Sequence, residues 1–191
     1  MEININELCK TFGSHTIFDR FCAKIPIGEV TWLTAPSGSG KTTFLRILMG
    51  LESADSGEII GIQQLKQSVV FQEDRLCENL SAATNIKLPN PHLQNETILE
   101  ALQQVGLFEY AHCPISEFSG GMKRRVAILR ALLAEYDILF LDEPFKGLDA
   151  QTKATVIAQV NQRSFGKTVV LVTHDQIEAD ALKISHTIAL P

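Results

Sequence analysis

Ala35-Pro36-Ser37-Gly38-Ser39-Gly40-Lys41-Thr42-Thr43 follows a β-like run, Glu29 to Thr34, and precedes a helical run, Phe44 to Met49, that stops at Gly50. Strand, glycine-bearing loop and helix, in that order, form the setting in which a loop cradles phosphate. Gly38 and Gly40 let the backbone come close to an anion and aim N–H groups at it. A helix beginning near Lys41 adds free N–H groups and the positive end of a dipole. Lys41 is in reach of β- and γ-phosphates, and the Thr42 hydroxyl is a ligand type for Mg²⁺. Pro36, Ser37, Ser39 and Thr43 complete the contact set of the loop. At its first position the pattern departs from the usual one, since Ala35 stands where glycine is expected. A methyl group there is harmless if the backbone keeps a negative φ and strained if it does not. The intact Gly38, Gly40 and Lys41-Thr42 pair favour the harmless turn. The plainer alternative is a Gly/Ser turn that binds nothing; Gly40-Lys41-Thr42-Thr43 immediately before an apolar helix argues against it.

The chain has 191 residues, 45% of them hydrophobic and 20% charged. That is enough for one folded domain with a sizeable core, and it excludes disorder. A net charge of −5 argues against a nucleic-acid partner. Met1 to Glu7 carries acids and no apolar core, so it does not read as a signal peptide. Apolar runs such as Val169 to Val172 are far too short to span a membrane. A cytoplasmic protein is expected, with any membrane role exerted through a partner. Cys9, Cys22, Cys77 and Cys113 form no C-x-x-C pair and read as reduced thiols.

Ile3, Ile5 and Leu8, then Phe21, Ala23 and Ile25, come close to strand alternation, with Gly13-Ser14 as the turn between them. These predict antiparallel strands leading into the run before the loop. Ser53 to Gly57 reads as a loop, Gln67 to Gln72 as a strand, and Leu80 to Gln94 as irregular, with Pro89-Asn90-Pro91 as a breaker. Ile98, Leu99, Leu102 and Val105 share a helical face, and Val126, Leu129, Leu132 and Leu133 another. Asp137 to Leu141 and Thr168 to Thr173 are continuous apolar runs, as buried parallel strands are. The fold class expected is α/β: one domain over 1–191 with a mainly parallel sheet flanked by helices. Residues of about 1–74 and 134–191 form its core, and about 75–133 a helical subdomain insert.

Asp142 and Glu143 end an apolar strand. One carboxylate there holds Mg²⁺, usually through water, and the other orients or deprotonates an attacking water. The phosphate loop, Asp142-Glu143 and His174 all fall at carboxyl ends of strands, where open α/β sheets bind ligands. Lys123-Arg124-Arg125 reads as a solvated helix face.

These features resemble the ATP-binding-cassette (ABC) family of ATPases, with its P-loop NTPase fold, over nearly the whole chain. Ser119-Gly120-Gly121 stands at the family's signature, Gln72 at its Q-loop, Gly147-Leu148-Asp149 at its D-loop and Thr173-His174-Asp175 at its switch histidine. Phe12 stands where the family sets an aromatic under the adenine; a core role is its plainer reading, as an end-of-strand surface role is for Gln72 and a satisfied turn histidine for His174. The resemblance implies ATP and Mg²⁺ as ligands and a head-to-tail dimer, each ATP lying between the loop of one copy and the signature of the other. It implies Glu143 as general base, His174 and Lys41 at the γ-phosphate, and Thr42, Gln72 and Asp142 at the metal. Asp149 would carry communication across the dimer. Phe118 and Met122 replace the signature's leucine and glutamine.

By the same resemblance the chain powers a membrane transporter, most like bacterial importers of the nitrate, sulfonate and taurine type. It would sit on the cytoplasmic face of the membrane, docked near Glu73 to Leu88 on a permease that works with a solute-binding protein. An export or lipoprotein-release ATPase is the first alternative. The second is a nucleotide-dependent binding module with little turnover, which Ala35 and Met122 favour and Glu143 and His174 oppose.

Overall fold

Strands β1 (Glu2–Phe12) and β2 (His15–Pro26) pair antiparallel around the turn at Gly13 and Ser14 in the computed structural model, which describes residues 1–36 and 38–191. Left-handed backbone at Glu7 (φ 47°) and Arg20 (φ 49°) accompanies register shifts in the pair. The shifts keep Ile3, Ile5, Leu8 and Lys10 on the inner face despite their uneven spacing. Lys10 is tolerated there because its ammonium meets the Glu52 carboxylate at 2.7 Å.

A third strand, β4 (Ser56–Ile60), joins the other edge of β1. Ser53 to Gly57, expected to be a loop, thus runs into a strand. Its exposed Ser56, Gly57 and Glu58 carry no alternation, and only pairing with β1 makes it one.

The second sheet is parallel, in the order β5 (Gln67–Val70), β6 (Ile138–Asp142), β7 (Thr168–Val172), β3 (Val30–Thr34), β8 (His186–Ala189). Every residue of β6 and β7 is buried, as their unbroken apolar runs require. Helix α1 (Lys41–Leu48) fills the space between the two sheets. Its Phe44, Leu45, Ile47 and Leu48 join one core with Ile3, Ile5 and Phe18 of the antiparallel sheet and Leu33, Phe140 and Val170 of the parallel one.

Between β5 and β6 the described elements are helices: α2 (Ala82–Lys87), α3 (Asn95–Gln104), two 3₁₀ turns and α4 (Gly120–Leu132). Helix α2 falls where irregular chain was expected. Ser81 caps it by accepting from the Thr84 N–H, and the buried Asn85 amide donates to the carbonyls of Cys77, Leu80 and Ser81. Polar bonds rather than an apolar stripe specify this short helix. Helix α4 corrects a second expectation. Arg124 is only 3% exposed, and Arg125 donates to the carbonyls of Gly121 and Val105. The basic run is therefore not a solvated face.

Helices α5 (Ala150–Arg163) and α6 (Gln176–Ala181) complete the chain. The far face of the parallel sheet, with Leu139, Leu141, Val169 and Leu171, packs on residues of α4, α5 and the helical segment. No helix among the described residues is long and apolar enough to cross a membrane.

Candidate functional site

Strand β3 leads at Thr34 into the loop before α1. Ala35 is not among the residues of positive φ, so its methyl group causes no left-handed strain. Gly38 and Gly40 do adopt left-handed backbone, at φ 84° and 88°. A Cβ on Gly40 would run into the Ile17 side chain and lie 3.3 Å from the Phe18 ring, so this position has no room for one. Gly40 precedes α1 without a side-chain cap, which leaves the first N–H groups of the helix for a ligand. Lys41 curls back, its ammonium donating to the carbonyls of Ala35 at 2.8 Å and Pro36 at 2.9 Å. Ser39 Oγ is buried with no hydrogen-bond partner. An uncapped helix start and an orphaned hydroxyl, beside a Ser39 amide held only by the Pro36 carbonyl at 3.3 Å, fit a phosphate chain. Ser37 lies outside the described residues.

Asp142 ends β6 and accepts from the Thr42 hydroxyl at 3.3 Å. It is 5% exposed, and burial raises its pKa above the usual carboxylate range despite the Thr42 bond and the nearby Arg124, Arg46 and Lys41. Glu143 follows in left-handed backbone, φ 47°, held by an amide bond of 2.9 Å to the Val172 carbonyl. Burial raises its pKa too, against the neighbouring His174. His174 Nε2 lies 3.2 Å from Glu143 Oε1, yet that oxygen is buried and accepts no hydrogen bond. A carboxylate with a raised pKa and a free lone pair is equipped to take a proton from water.

His174 stands just past β7, in a segment braced from two sides. Thr173 donates from its hydroxyl to Glu178 of α6, whose carboxylate meets Lys153 of α5 at 2.5 Å. Lys153 also lies 3.4 Å from Asp175. From β3 the indole N–H of Trp32 donates to the Thr173 carbonyl at 3.1 Å.

A cleft of about 1090 Å³ gathers Gly38, Gly40, Lys41, Thr42, Thr43, Gln72, Asp142, Glu143 and His174. Ile17, Lys146 and Glu178, which belong to none of the sequence motifs, also line it. Ile17 carries no signal of its own, because only the β1–β2 pairing brings it beside Gly40. Lys146, four residues after Asp142 and in the turn before Asp149, was within reach of motif reasoning.

Other expected residues lie outside this lining. Ser119 caps α4 by accepting from the Met122 N–H at 3.4 Å, and Gly120 and Gly121 line an adjoining cavity of about 450 Å³ with Gln72 and Lys146. Asp149 caps α5, accepting from the amides of Gln151 and Thr152; the Thr152 hydroxyl first, then these amides, hold its pKa below the usual range. Phe12 is half exposed at the end of β1, with the Lys10 ammonium 4.6 Å from its ring centre.

No group of three or more His, Cys, Asp or Glu side chains among the described residues makes a closed metal cage. Thr42 and the desolvated Asp142 carboxylate are instead a partial oxygen set, with Gln72 lining the same cleft. Such a set fits Mg²⁺, which draws its remaining ligands from water and phosphate.

The ABC transporter family model matches residues 18–146. The spermidine/putrescine import ATP-binding protein PotA of Treponema pallidum is 36% identical, over 98% of this chain and 54% of its own length. The sulfate/thiosulfate import ATP-binding protein CysA of Vibrio cholerae is 36% identical, over 94% of this chain and 53% of its own. For the Fe(3+) ions import ATP-binding protein FbpC of Photorhabdus laumondii the figures are 34%, 94% and 56%. The chain thus spans about half the length of these relatives. Among solved structures, the ATP-binding cassette MJ0796, a dimer in a post-hydrolysis state bound to ADP and Pi, superposes with a TM-score of 0.85 at 28% identity. The match covers 98% of this chain and 94% of that one.

Proposed function

This chain belongs to the ABC transporter family, and from that membership we propose that it binds and hydrolyses ATP and so drives solute import through a partner permease. The observation that carries the reading is one cleft in which the phosphate loop faces Glu143, whose buried Oε1 accepts no hydrogen bond. The N–H groups from Gly38 to Thr43 take the phosphate chain, and Lys41 exchanges a loop carbonyl for a phosphate oxygen. Glu143 accepts a proton from water as the water oxygen attacks the terminal phosphorus. The bond to the bridging oxygen breaks, and its electron pair leaves with ADP. His174, beside Glu143, bonds the transferred phosphoryl group. Thr42, Gln72 and Asp142 would hold Mg²⁺, which when bound would supply charge neutralisation at the phosphate oxygens. Phe12, at the end of β1, stacks on the adenine.

The working unit is a head-to-tail pair of two copies. Ser119, Gly120 and Gly121 lie outside the nucleotide cleft of their own chain, which supports their serving the cleft of the second copy. As the N-terminus of a thirteen-residue helix they present an anion-binding end. Asp149 faces the same seam and links the two sites. The dimeric cassette bound to ADP and Pi supports the pairing.

The permease docks on the segment from Glu73 to Leu88. A groove of about 660 Å³ there, between α2 and α3, offers the exposed Leu88 and the half-buried Ala83 and Leu99 to an apolar partner, over a floor that includes the buried Ile98. That contact holds the chain at the cytoplasmic face of the membrane, with a solute-binding protein delivering cargo. Import is preferred over export or lipoprotein release because the relatives are import proteins by name. Their cargoes differ, polyamine, sulfate and iron, at nearly the same identity, so the cassette does not select the cargo.

ATP hydrolysis against protein concentration, beside Glu143→Gln, tests the reading. Wild type should turn over with a rate rising faster than linearly, while Glu143→Gln binds Mg–ATP, dimerises and does not hydrolyse. Binding without turnover by the wild type, even with permease-containing membranes, would hand the case to the binding-module reading.

A further inference from the structure

The guanidinium of Arg124 lies behind the catalytic strand end. It donates to the carbonyls of Glu143 at 2.6 Å, Phe71 at 2.7 Å, Pro144 at 2.8 Å and Asp142 at 3.4 Å, and to the Asp74 carboxylate at 3.0 Å. Five acceptors around one buried fork are more than packing needs, and only arginine has the planar donor set to serve them. Phe71 and Asp74 flank Gln72, and Asp142 to Pro144 flank Glu143. Arg124 itself rides on α4, five residues after Ser119.

Resting on the ATPase reading above, we propose that Arg124 is a positioning residue. It holds the left-handed backbone of Glu143 and the segment around Gln72 in one register with the helix that begins at Ser119-Gly120-Gly121. Glu143 sits at φ 47°, a conformation that a non-glycine residue keeps only when its surroundings impose it. The Glu143 carbonyl at 2.6 Å is the direct restraint. Without the guanidinium, three successive carbonyls lose a buried partner, the backbone relaxes, and the Glu143 carboxylate swings from its post beside His174. A shift of α4, whether from the permease side or from the second copy, is then transmitted to the general base through this one side chain.

The test is chemical rescue of Arg124→Ala, with Arg124→Lys as a milder variant that keeps the charge and loses the fork. Both should still bind Mg–ATP through the untouched phosphate loop, with kcat falling by about tenfold or more and KM rising by a clearly smaller factor. Millimolar guanidinium should restore kcat of Arg124→Ala several-fold, where equal sodium chloride or urea does not. Amide exchange at Glu143, protected by its bond to Val172, should quicken in both variants while exchange in β7 stays at the wild-type rate.

Equal kcat per bound nucleotide in wild type and variants, a fall in kcat matched by a rise in KM, or absence of guanidinium rescue in a folded Arg124→Ala would overturn the assignment. Should wild type bind Mg–ATP and never hydrolyse it, the ATPase reading fails by itself. Exchange at Glu143 then still decides the positioning role: faster exchange in the variants upholds it and unchanged exchange rejects it.

Discussion

Asp142 and Glu143 are adjacent carboxyls that burial pushes above their ordinary pKa. A carboxyl raised in the folded state stabilises the fold below its unfolded pKa of about 4. That contribution is lost as pH rises through the higher folded value. At neutral pH both groups therefore weigh against the nucleotide-free fold. Glu143→Gln keeps the shape and removes the charge, so its melting temperature should exceed that of wild type by on the order of 1–3 °C at neutral pH. The gap should close as pH falls toward about 4. Calorimetry across pH checks this, and a gap that widens in acid refutes it. Two glycines of the loop give a paired comparison. Gly40→Ala drives a methyl into Ile17 from left-handed backbone and should cost about 1–3 kcal/mol in urea unfolding, with weaker Mg–ATP binding. Gly38→Ala has similar φ but open space around its Cβ, so it should cost only the backbone part, about 1 kcal/mol.

Helices α5 and α6 meet through Lys153, whose ammonium serves both Glu178 and Asp175 around His174. Lys153→Met leaves the 5%-exposed Glu178 without its cation. The loss should be about 1–3 kcal/mol, below the range for fully buried pairs because Lys153 is partly solvated. Adding Glu178→Gln to Lys153→Met should return part of it, measured as a double-mutant cycle in denaturant; strict additivity would show that the two side chains do not interact. Such cross-element ties were not legible in the sequence. What could be read was local: an apolar run for β6, a glycine loop before α1, acids at a strand end. Strand β4 escaped because its residues carry no alternation and its partner lies some fifty residues away in β1. Helix α2 escaped because Asn85, a residue that favours turns, stabilises it from within. Arg124 passed for a surface charge, since nothing in Lys123-Arg124-Arg125 says that the middle side chain meets five acceptors. The expected residues that share the cleft were legible because each sits in its own short motif. The residues that hold them in position have no motif, only neighbours.

At the scale of the whole molecule, the separation of Ser119-Gly120-Gly121 from the phosphate cleft sets a genetic expectation. Lys41→Ala spoils the loop, and Ser119→Arg spoils the signature end. Each variant alone should be inactive. Mixed in equal amounts they form heterodimers in which both lesions fall in one site and the other site is whole, so hydrolysis should reappear on mixing. A mixture as inactive as its parts would exclude composite sites. The chain also carries its own optical probe. Trp32 is its one tryptophan, and its indole N–H is bonded to the carbonyl immediately before His174. Indole emission shifts in colour with the strength and polarity of such a bond. When nucleotide engages His174, the light emitted by the unlabelled protein should change, and that change can be followed in real time in a stopped-flow cuvette without attaching a dye.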